Sequence, residues 1–236
     1  MNGILYGVGV GPGAPDLLTL RAVNVLRRVD VILAAASPRN DGSTALDTAR
    51  PHLRPNTRVE RLNFPMTHER KARLNAWREA AKTTLSILES GLNAAFLTIG
   101  DPLIYSTFGY LMQTLARLAP HITVEVIPGI TAYQAAAART RTVLCADRES
   151  LLLLPGINRR QDLEDALEYA DTAVILKAYR NLPAIHKALQ SCGRAEDGIF
   201  ASLVERPGET VRQGLPDPET TPPYMSLILS RKPGSR

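Results

Sequence analysis

The sequence predicts an α/β protein of two domains, with a mainly parallel sheet in the first and a mixed sheet in the second. Through the first half of the 236 residues, short apolar runs alternate with segments of helical spacing. That alternation favours a parallel sheet covered by helices. The last third instead carries Pro207, Gly208, Gly214, Pro216, Pro218, Pro222 and Pro223 around its strand candidates, the punctuation of hairpins. At roughly 150 residues per domain the length allows one large domain or two small ones. The boundary is expected near Pro120, dividing the chain into 1–119 and 120–236.

Residues 4–10 form an apolar run ending in glycines, the pattern of a buried strand. Over 17–29, Leu17, Leu18, Ala22, Val25, Leu26 and Val29 recur at helical spacing, with Asp16 as the expected N-cap. Residues 30–35 read as a second buried strand. The stretch 37–65 is loop-like, with a short helix near 45–52 and a short strand near Val59. A long amphipathic helix over 68–90 leads to a strand at 93–99, a helix at 105–119, a strand at 121–127 and a helix at 131–139. Further strands are expected at 151–154, 172–176, 198–204 and 224–230, and helices at 161–169 and 182–190.

Hydrophobic residues make up 44% and charged residues 22%, values ordinary for a globular protein rather than a disordered or fibrous one. No apolar run approaches the roughly 18 residues of a membrane span, and the N-terminus lacks a basic flank with an apolar core. A cytoplasmic protein with no membrane partner is expected. Cys145 and Cys192 lie 47 positions apart, and His52, His68, His121 and His186 are scattered. That spacing predicts two isolated buried thiols and no protein metal site.

The net charge of +5 lies in one segment: residues 39–78 hold nine basic side chains against four acidic ones, and the remainder balances at 19 of each. Arginines outnumber lysines 23 to 5. A guanidinium grips carboxylate or phosphate in a bidentate way that an ammonium cannot, so this segment is a candidate surface for a polyanion. Nucleic acid is not the expected partner, because aromatics are only 5% and no recognition module is present.

Three loops follow strands and open helices. In the first, Gly7-Val8-Gly9-Val10-Gly11-Pro12-Gly13-Ala14, residues 9–14 fit the GxGxxG/A dinucleotide pattern. Pro12 and Pro15 stiffen the turn, Asp16 would repel a phosphate, and the second strand ends in alanines with no acid to hold a ribose. A nicotinamide-dependent oxidoreductase is therefore disfavoured, and no GK[ST] of a Walker loop follows. The second loop is Gly100-Asp101-Pro102-Leu103-Ile104-Tyr105-Ser106-Thr107. Asp101-Pro102 suits an N-cap and N1 pair, while a carboxylate at a strand's carboxyl end can also hold an ammonium or a ribose hydroxyl. The third is Pro128-Gly129-Ile130-Thr131-Ala132. Open α/β sheets bind ligands at such strand ends.

The stretch VGVGPGAPDLLTLRAVNVLRRVDVI, the Gly-Asp-Pro-Leu block and PGITA, in this order and spacing, resemble the tetrapyrrole methylases. Asn63-Phe64-Pro65-Met66-Thr67, the 103–110 stretch LIYSTFGY and the ending YMSLILSRK resemble the branch that methylates C20 of precorrin-2 or cobalt-factor II in vitamin B12 biosynthesis. The resemblance implies a homodimeric S-adenosylmethionine-dependent methyltransferase with a ligand cleft between its two domains. It assigns Pro12, Gly100, Asp101, Ile104, Thr131, Ala132 and Leu176 to the cofactor, with Lys177 and Gly208 as looser matches. Many relatives carry methionine where Leu176 stands, and often an aromatic before the proline of Ala36-Ser37-Pro38, a wall of the substrate trough. The implied substrate is a macrocycle rich in carboxylates, which suits Arg54 and Arg61 as substrate contacts. Tyr105, Ser106 and Thr107 are placed with the substrate, as candidates to assist proton loss from C20. Methylation of another ring position, or of uroporphyrinogen III, is the alternative within the fold.

Overall fold

The computed structural model describes residues 1–36, 43–65, 67, 69–156 and 159–234. Ser37, Pro38, Arg39, Asp41, Met66 and His68, which entered the reading above, lie outside the described residues. The chain divides into two compact units, Met1–Thr131 and Ala132–Arg236.

The first unit is built on five parallel strands: β1 (Leu5–Gly9), β2 (Val31–Ala36), β3 (Arg58–Asn63), β4 (Ala94–Thr98) and β5 (Val124–Ile127), in the spatial order β3-β2-β4-β1-β5. Because β5 pairs with β1, residues beyond Pro120 belong to this sheet, and the unit ends at Thr131 rather than near Pro120.

The strands obey the two-residue period of a pleated sheet. Leu5, Leu33 and Phe96 face one layer, which holds α3 (Arg70–Glu89) and α4 (Phe108–Leu118). Tyr6, Val8, Ile32, Ala95 and Leu97 face the other, which holds α1 (Leu20–Leu26) and α2 (Thr44–Ala49). Gly7 stands where a side chain would collide with the Phe108 ring, at 2.3 Å from a Cβ, so glycine there lets α4 sit close on the sheet.

Two local expectations are corrected. α1 starts at Leu20, where the Thr19 hydroxyl accepts from Ala22 N–H at 3.2 Å; Asp16 sits earlier, in an exposed 3-10 turn over Pro15–Leu17. α4 starts at Phe108, because the Ser106 hydroxyl accepts the Phe108 N–H at 3.1 Å and stops the helix there. In the arginine-rich stretch the expected short helix and strand are present: α2 packs into the core and β3 forms a six-residue edge strand.

The second unit carries β6 (Leu151–Leu154), β7 (Thr172–Leu176), β8 (Ile199–Ser202), β9 (Thr210–Gln213) and β10 (Ser226–Arg231), in the order β6-β7-β10-β8-β9. Only β6 and β7 run parallel; the other pairs are antiparallel, so the sheet is mixed as expected. α6 (Arg160–Glu168) and α7 (Leu182–Ser191) cover one face, and α5 (Ala132–Thr140) the other. β9 escaped the sequence reading because its residues, TVRQ, are largely exposed on a sheet edge. The thiols depart from expectation too. Cys145 is exposed in an irregular segment, and Cys192 is half-buried at the end of α7. No described helix is long and apolar enough to cross a membrane.

Candidate functional site

In the first unit β4, β1 and β5 are neighbours, so the three loops singled out above leave adjacent strand ends. Their junction is backbone against backbone. Gly100 N–H donates to Gly11 O at 2.8 Å, and Val10 N–H to Thr98 O at 2.9 Å. A Cβ on Gly9 would stand 2.5 Å from Gly100 O and 2.7 Å from Gly129 Cα; one on Gly129 would stand 2.2 Å from Gly100 O. Only hydrogen fits at either position. Gly11 (φ +76°) and Gly100 (φ +70°) turn the chain through left-handed backbone that side chains disfavour.

Asp101 ties this junction together. Its Oδ2 accepts Gly129 N–H at 3.1 Å and its Oδ1 accepts Leu103 N–H at 2.9 Å. It is therefore not the cap of α4, which begins seven residues later. A carboxylate has about four acceptor sites, so two remain for a ligand. Pro12 is buried beyond Gly11, and Thr131 is buried with its Cα 3.8 Å from where a Cβ of Gly100 would lie. Pro12, Gly100, Asp101 and Thr131 thus share one end of the sheet, with Ile104 half-buried in the next turn. Tyr105 is half exposed and held at φ +49°, a strained backbone for a side-chain-bearing residue. The Ser106 hydroxyl accepts the Phe108 N–H at the start of α4, and the N-cap residue Thr107 is half-buried beside it.

In the second unit the carboxyl ends of β6, β7 and β8 and the amino end of β10 share one edge. Leu176 closes β7 opposite Leu227, and Lys177 follows at φ +55°, ψ +41°. Gly156 (φ +108°), at the end of β6, lies where a Cβ would be 3.4 Å from Leu176 O and 3.6 Å from Lys177 Cβ. The Ser226 hydroxyl accepts Tyr179 N–H at 3.1 Å, and the Tyr179 and Tyr224 rings pack at 5.2 Å. Arg180 Nε donates to Tyr179 Oη at 3.3 Å, which holds its guanidinium firmly protonated. Burial, and then repulsion from Arg180, lower the Lys177 ammonium's pKa. Burial, then Tyr179, raises that of Tyr224.

Gly208 (φ +84°) lies in the turn between β8 and β9, where Leu203 and Glu205 also adopt left-handed backbone. Arg139 closes this turn through Glu205 at 3.0 Å and Glu209 at 3.3 Å. Ala132 opens α5, half-buried. The sequence reading did not single out Gly156, Tyr179 or Arg180. Pro155-Gly156 after a run of leucines is the signal that could have found the first, since it repeats the strand–Pro-Gly logic of Pro128-Gly129.

Among the described residues the basic side chains of the arginine-rich segment do not converge. Arg54 donates to Val29 O at 2.6 Å and stands 3.9 Å from Asp30, at the amino end of β2 and so opposite the loops. Arg61 lies exposed on β3, paired in register with Ala34. Arg50 pairs with Asp47 and Arg58 with Glu60. By contrast Arg70, Lys71 and Arg73 occupy the first turn of α3, just past the carboxyl end of β3. Arg73 there donates to Thr67 O at 3.4 Å. Trp77 and Tyr110 stack nearby at 4.2 Å, with planes 6° apart, joining the starts of α3 and α4. Among the described residues no group of three His, Cys, Asp or Glu could hold a metal ion.

This arrangement has relatives. The profile of the tetrapyrrole (corrin/porphyrin) methylases matches residues 4–214. A cobalt-precorrin-2 C(20)-methyltransferase of Salmonella typhimurium is 32% identical over 98% of both chains. A precorrin-2 C(20)-methyltransferase of a Sinorhizobium species is likewise 32% identical, over 96% of this chain and 94% of that protein. Among solved structures, that of the cobalt precorrin-4 methyltransferase CbiF superposes with a TM-score of 0.75 at 21% identity, covering 97% of this chain and 94% of that one. With the strand-end loops in place and likeness along nearly its whole length, the chain belongs to the tetrapyrrole (corrin/porphyrin) methylases.

Proposed function

We propose that the chain is an S-adenosylmethionine-dependent methyltransferase acting on C20 of precorrin-2 or cobalt-factor II in cobalamin biosynthesis, and that it works as a cytoplasmic homodimer. The observation that carries the activity is the junction of three strand-end loops, where Gly9, Gly100 and Gly129 meet without side chains and Asp101 pins two of the loops. The choice of C20 rests on likeness to relatives of that name over nearly the full chain.

The residues present fit the cofactor. Asp101 keeps two acceptor sites for ribose hydroxyls or the ammonium of an amino acid, Pro12 and Thr131 wall the junction, and glycine at 100 leaves room beside Thr131. Leu176, with Ala132 and Gly208, is assigned to the cofactor in the second unit. When bound, S-adenosylmethionine supplies an electrophilic methyl on a sulfonium. Transfer consumes that positive charge, so the protein's part is orientation and exclusion of water rather than strong acid catalysis. For the macrocycle's carboxylates, Arg70, Lys71 and Arg73 at the start of α3 are better placed than Arg54, whose guanidinium is tied to Val29 O and lies beside Asp30. Arg61, Tyr105 and Thr107 remain assigned to the substrate, and Ser106 supports them through the start of α4.

Incubation with S-adenosylmethionine and either metal-free precorrin-2 or cobalt-factor II tests this. One methyl added at C20, located by NMR of the product, is expected with at least one of the two. Methylation at a different ring position, or of uroporphyrinogen III alone, would contradict it. Light scattering on the purified protein reads the assembly, with twice the monomer mass expected.

A further inference from the structure

The start of α3 breaks the charge rule of helices. The amino end of a helix is already partly positive, so acids are favoured in its first turn and cations are not. The first turn of α3 instead holds Arg70, Lys71 and Arg73 and no acid, and the N-cap residue Glu69 makes no side-chain cap bond. Arg70 and Lys71 are exposed and enter no ion pair among the described residues. Arg73 makes one long bond, 3.4 Å to Thr67 O, while its Nε is buried with no hydrogen-bond partner among the described residues. These cations work against the helix that carries them, and local rules are broken in this way where a site demands it.

An apolar surface continues the same stripe. Residues three and four apart are neighbours on a helix, so Leu74 and Trp77 follow Arg70 and Arg73 along one face of α3. Trp77 packs against the core of the first unit, and Tyr110 of α4 stacks on it at 4.2 Å with planes 6° apart. Leu74 and Tyr110 are each 46% exposed. Held flat against Trp77, the Tyr110 ring is a fixed plane rather than a free rotor. Guanidiniums grip carboxylates in a bidentate way, and a flat ring takes another ring system by its face. A ligand with both an apolar face and a fringe of carboxylates uses the whole stripe. A second copy of the chain fits less well, because a two-fold contact would set Arg70, Lys71, Arg73 and Arg78 against a surface of the same sign.

Resting on the proposed tetrapyrrole substrate, we infer that this stripe of the first unit recognises the macrocycle. Tyr110, backed by Trp77 and flanked by Leu74, takes a face of the ring, while Arg70, Lys71 and Arg73 take its carboxylates. The full chain has a single tryptophan, Trp77, so its fluorescence reads binding without cofactor or turnover. The probe is uroporphyrin, a stable macrocycle fringed with carboxylates. Citrate supplies carboxylates without a ring, and a single-stranded oligonucleotide supplies rings on phosphates.

Uroporphyrin should quench Trp77 saturably, and less tightly as salt is added. Citrate and the oligonucleotide should bind at least about tenfold more weakly. The double variant Arg70→Glu/Lys71→Glu should lose about tenfold or more in uroporphyrin affinity and yet melt above the wild type, since acids then occupy the positive end of α3. A purely structural role would move both readings downward together. Tyr110→Ala should weaken binding about fivefold, Tyr110→Phe should restore it to within about twofold, and Arg54→Glu on the opposite edge should leave it unchanged. No quenching by uroporphyrin, equal binding of citrate or the oligonucleotide, or wild-type affinity in the double variant or in Tyr110→Ala would each overturn the inference. So would a double variant that loses affinity and melting temperature together. If these affinities hold while the enzyme methylates a different carbon, the C20 reading fails and the recognition surface stands. If C20 is methylated while the variants bind uroporphyrin as the wild type does, the inference alone fails.

Discussion

The two sheets end in different materials. In the first unit the strand ends meet as bare backbone, glycine against glycine, with one carboxylate as the tie. In the second unit the edge is made of side chains: a tyrosine pair, an arginine, a half-buried lysine, and left-handed backbone at residues that are not glycine. The first has no slack, since a methyl group at Gly9 or Gly129 would occupy space already filled by backbone. The second can change chemistry by changing a side chain while the sheet beneath stays intact.

The sharpest way to break the first construction is Gly129→Ala. Its Cβ would lie 2.2 Å from Gly100 O and 2.8 Å from Gly9 Cα, both backbone. A loss of about 3 kcal/mol is expected, read as a lower melting temperature together with lost S-adenosylhomocysteine binding. In the second unit the comparable weak point lies off the edge. Arg194 is 3% exposed and donates to Leu167 O and Ala170 O, each at 2.6 Å. Arg194→Met removes both of these buried bonds, although Leu167 O still accepts backbone N–H groups at the end of α6, and should cost about 2 kcal/mol, with cofactor affinity unchanged once the protein is folded.

Asp101→Ala sits between structure and ligand. Gly129 N–H loses its acceptor, so a loss of about 1 kcal/mol should accompany roughly tenfold weaker S-adenosylhomocysteine binding, about 1.4 kcal/mol. Unchanged affinity beside a lowered melting curve would confine Asp101 to the loop tie. Smaller again, Arg73→Glu should raise the substrate KM severalfold while Arg54→Glu leaves it alone; the reverse pattern would return substrate recognition to the amino edge of the first sheet.

The smallest effect is a pH dependence. Asp171 accepts N–H and O–H from Ser150, which lowers its pKa below the ordinary carboxylate value. A carboxylate with a depressed folded pKa stabilises fully above its unfolded pKa and loses that contribution as pH falls through the folded one. Asp171→Asn should therefore lower the melting temperature slightly at neutral pH and flatten its decline on the acid side, the two curves converging once Asp171 is protonated.

Much of this contrast was legible in the sequence. The strand runs at 151–154 and 172–176 match β6 and β7 residue for residue, because uninterrupted apolar runs bounded by polar residues leave little freedom. The three strand-end loops were legible because Gly and Pro after an apolar run mark a turn wherever they occur. Helix starts were not: Thr19 and Ser106, rather than Asp16 and Asp101, terminate the backbone N–H groups, and a hydroxyl's choice of partner is decided by loop geometry. The tie from Asp101 to Gly129 spans 28 residues, and the Tyr179–Tyr224 packing spans 45; both come from strand order, which local patterning does not encode. The clustered charge misled for the same reason. Arg54 and Arg73 are near in sequence yet belong to opposite edges of one sheet.

Calorimetric titration of the purified protein with S-adenosylhomocysteine and, separately, with NAD tests the central claim most directly. Saturable binding of S-adenosylhomocysteine alone, weakened by Asp101→Ala, is the predicted result. Binding of NAD alone would contradict it, and would make the glycine string of the first loop a dinucleotide site instead.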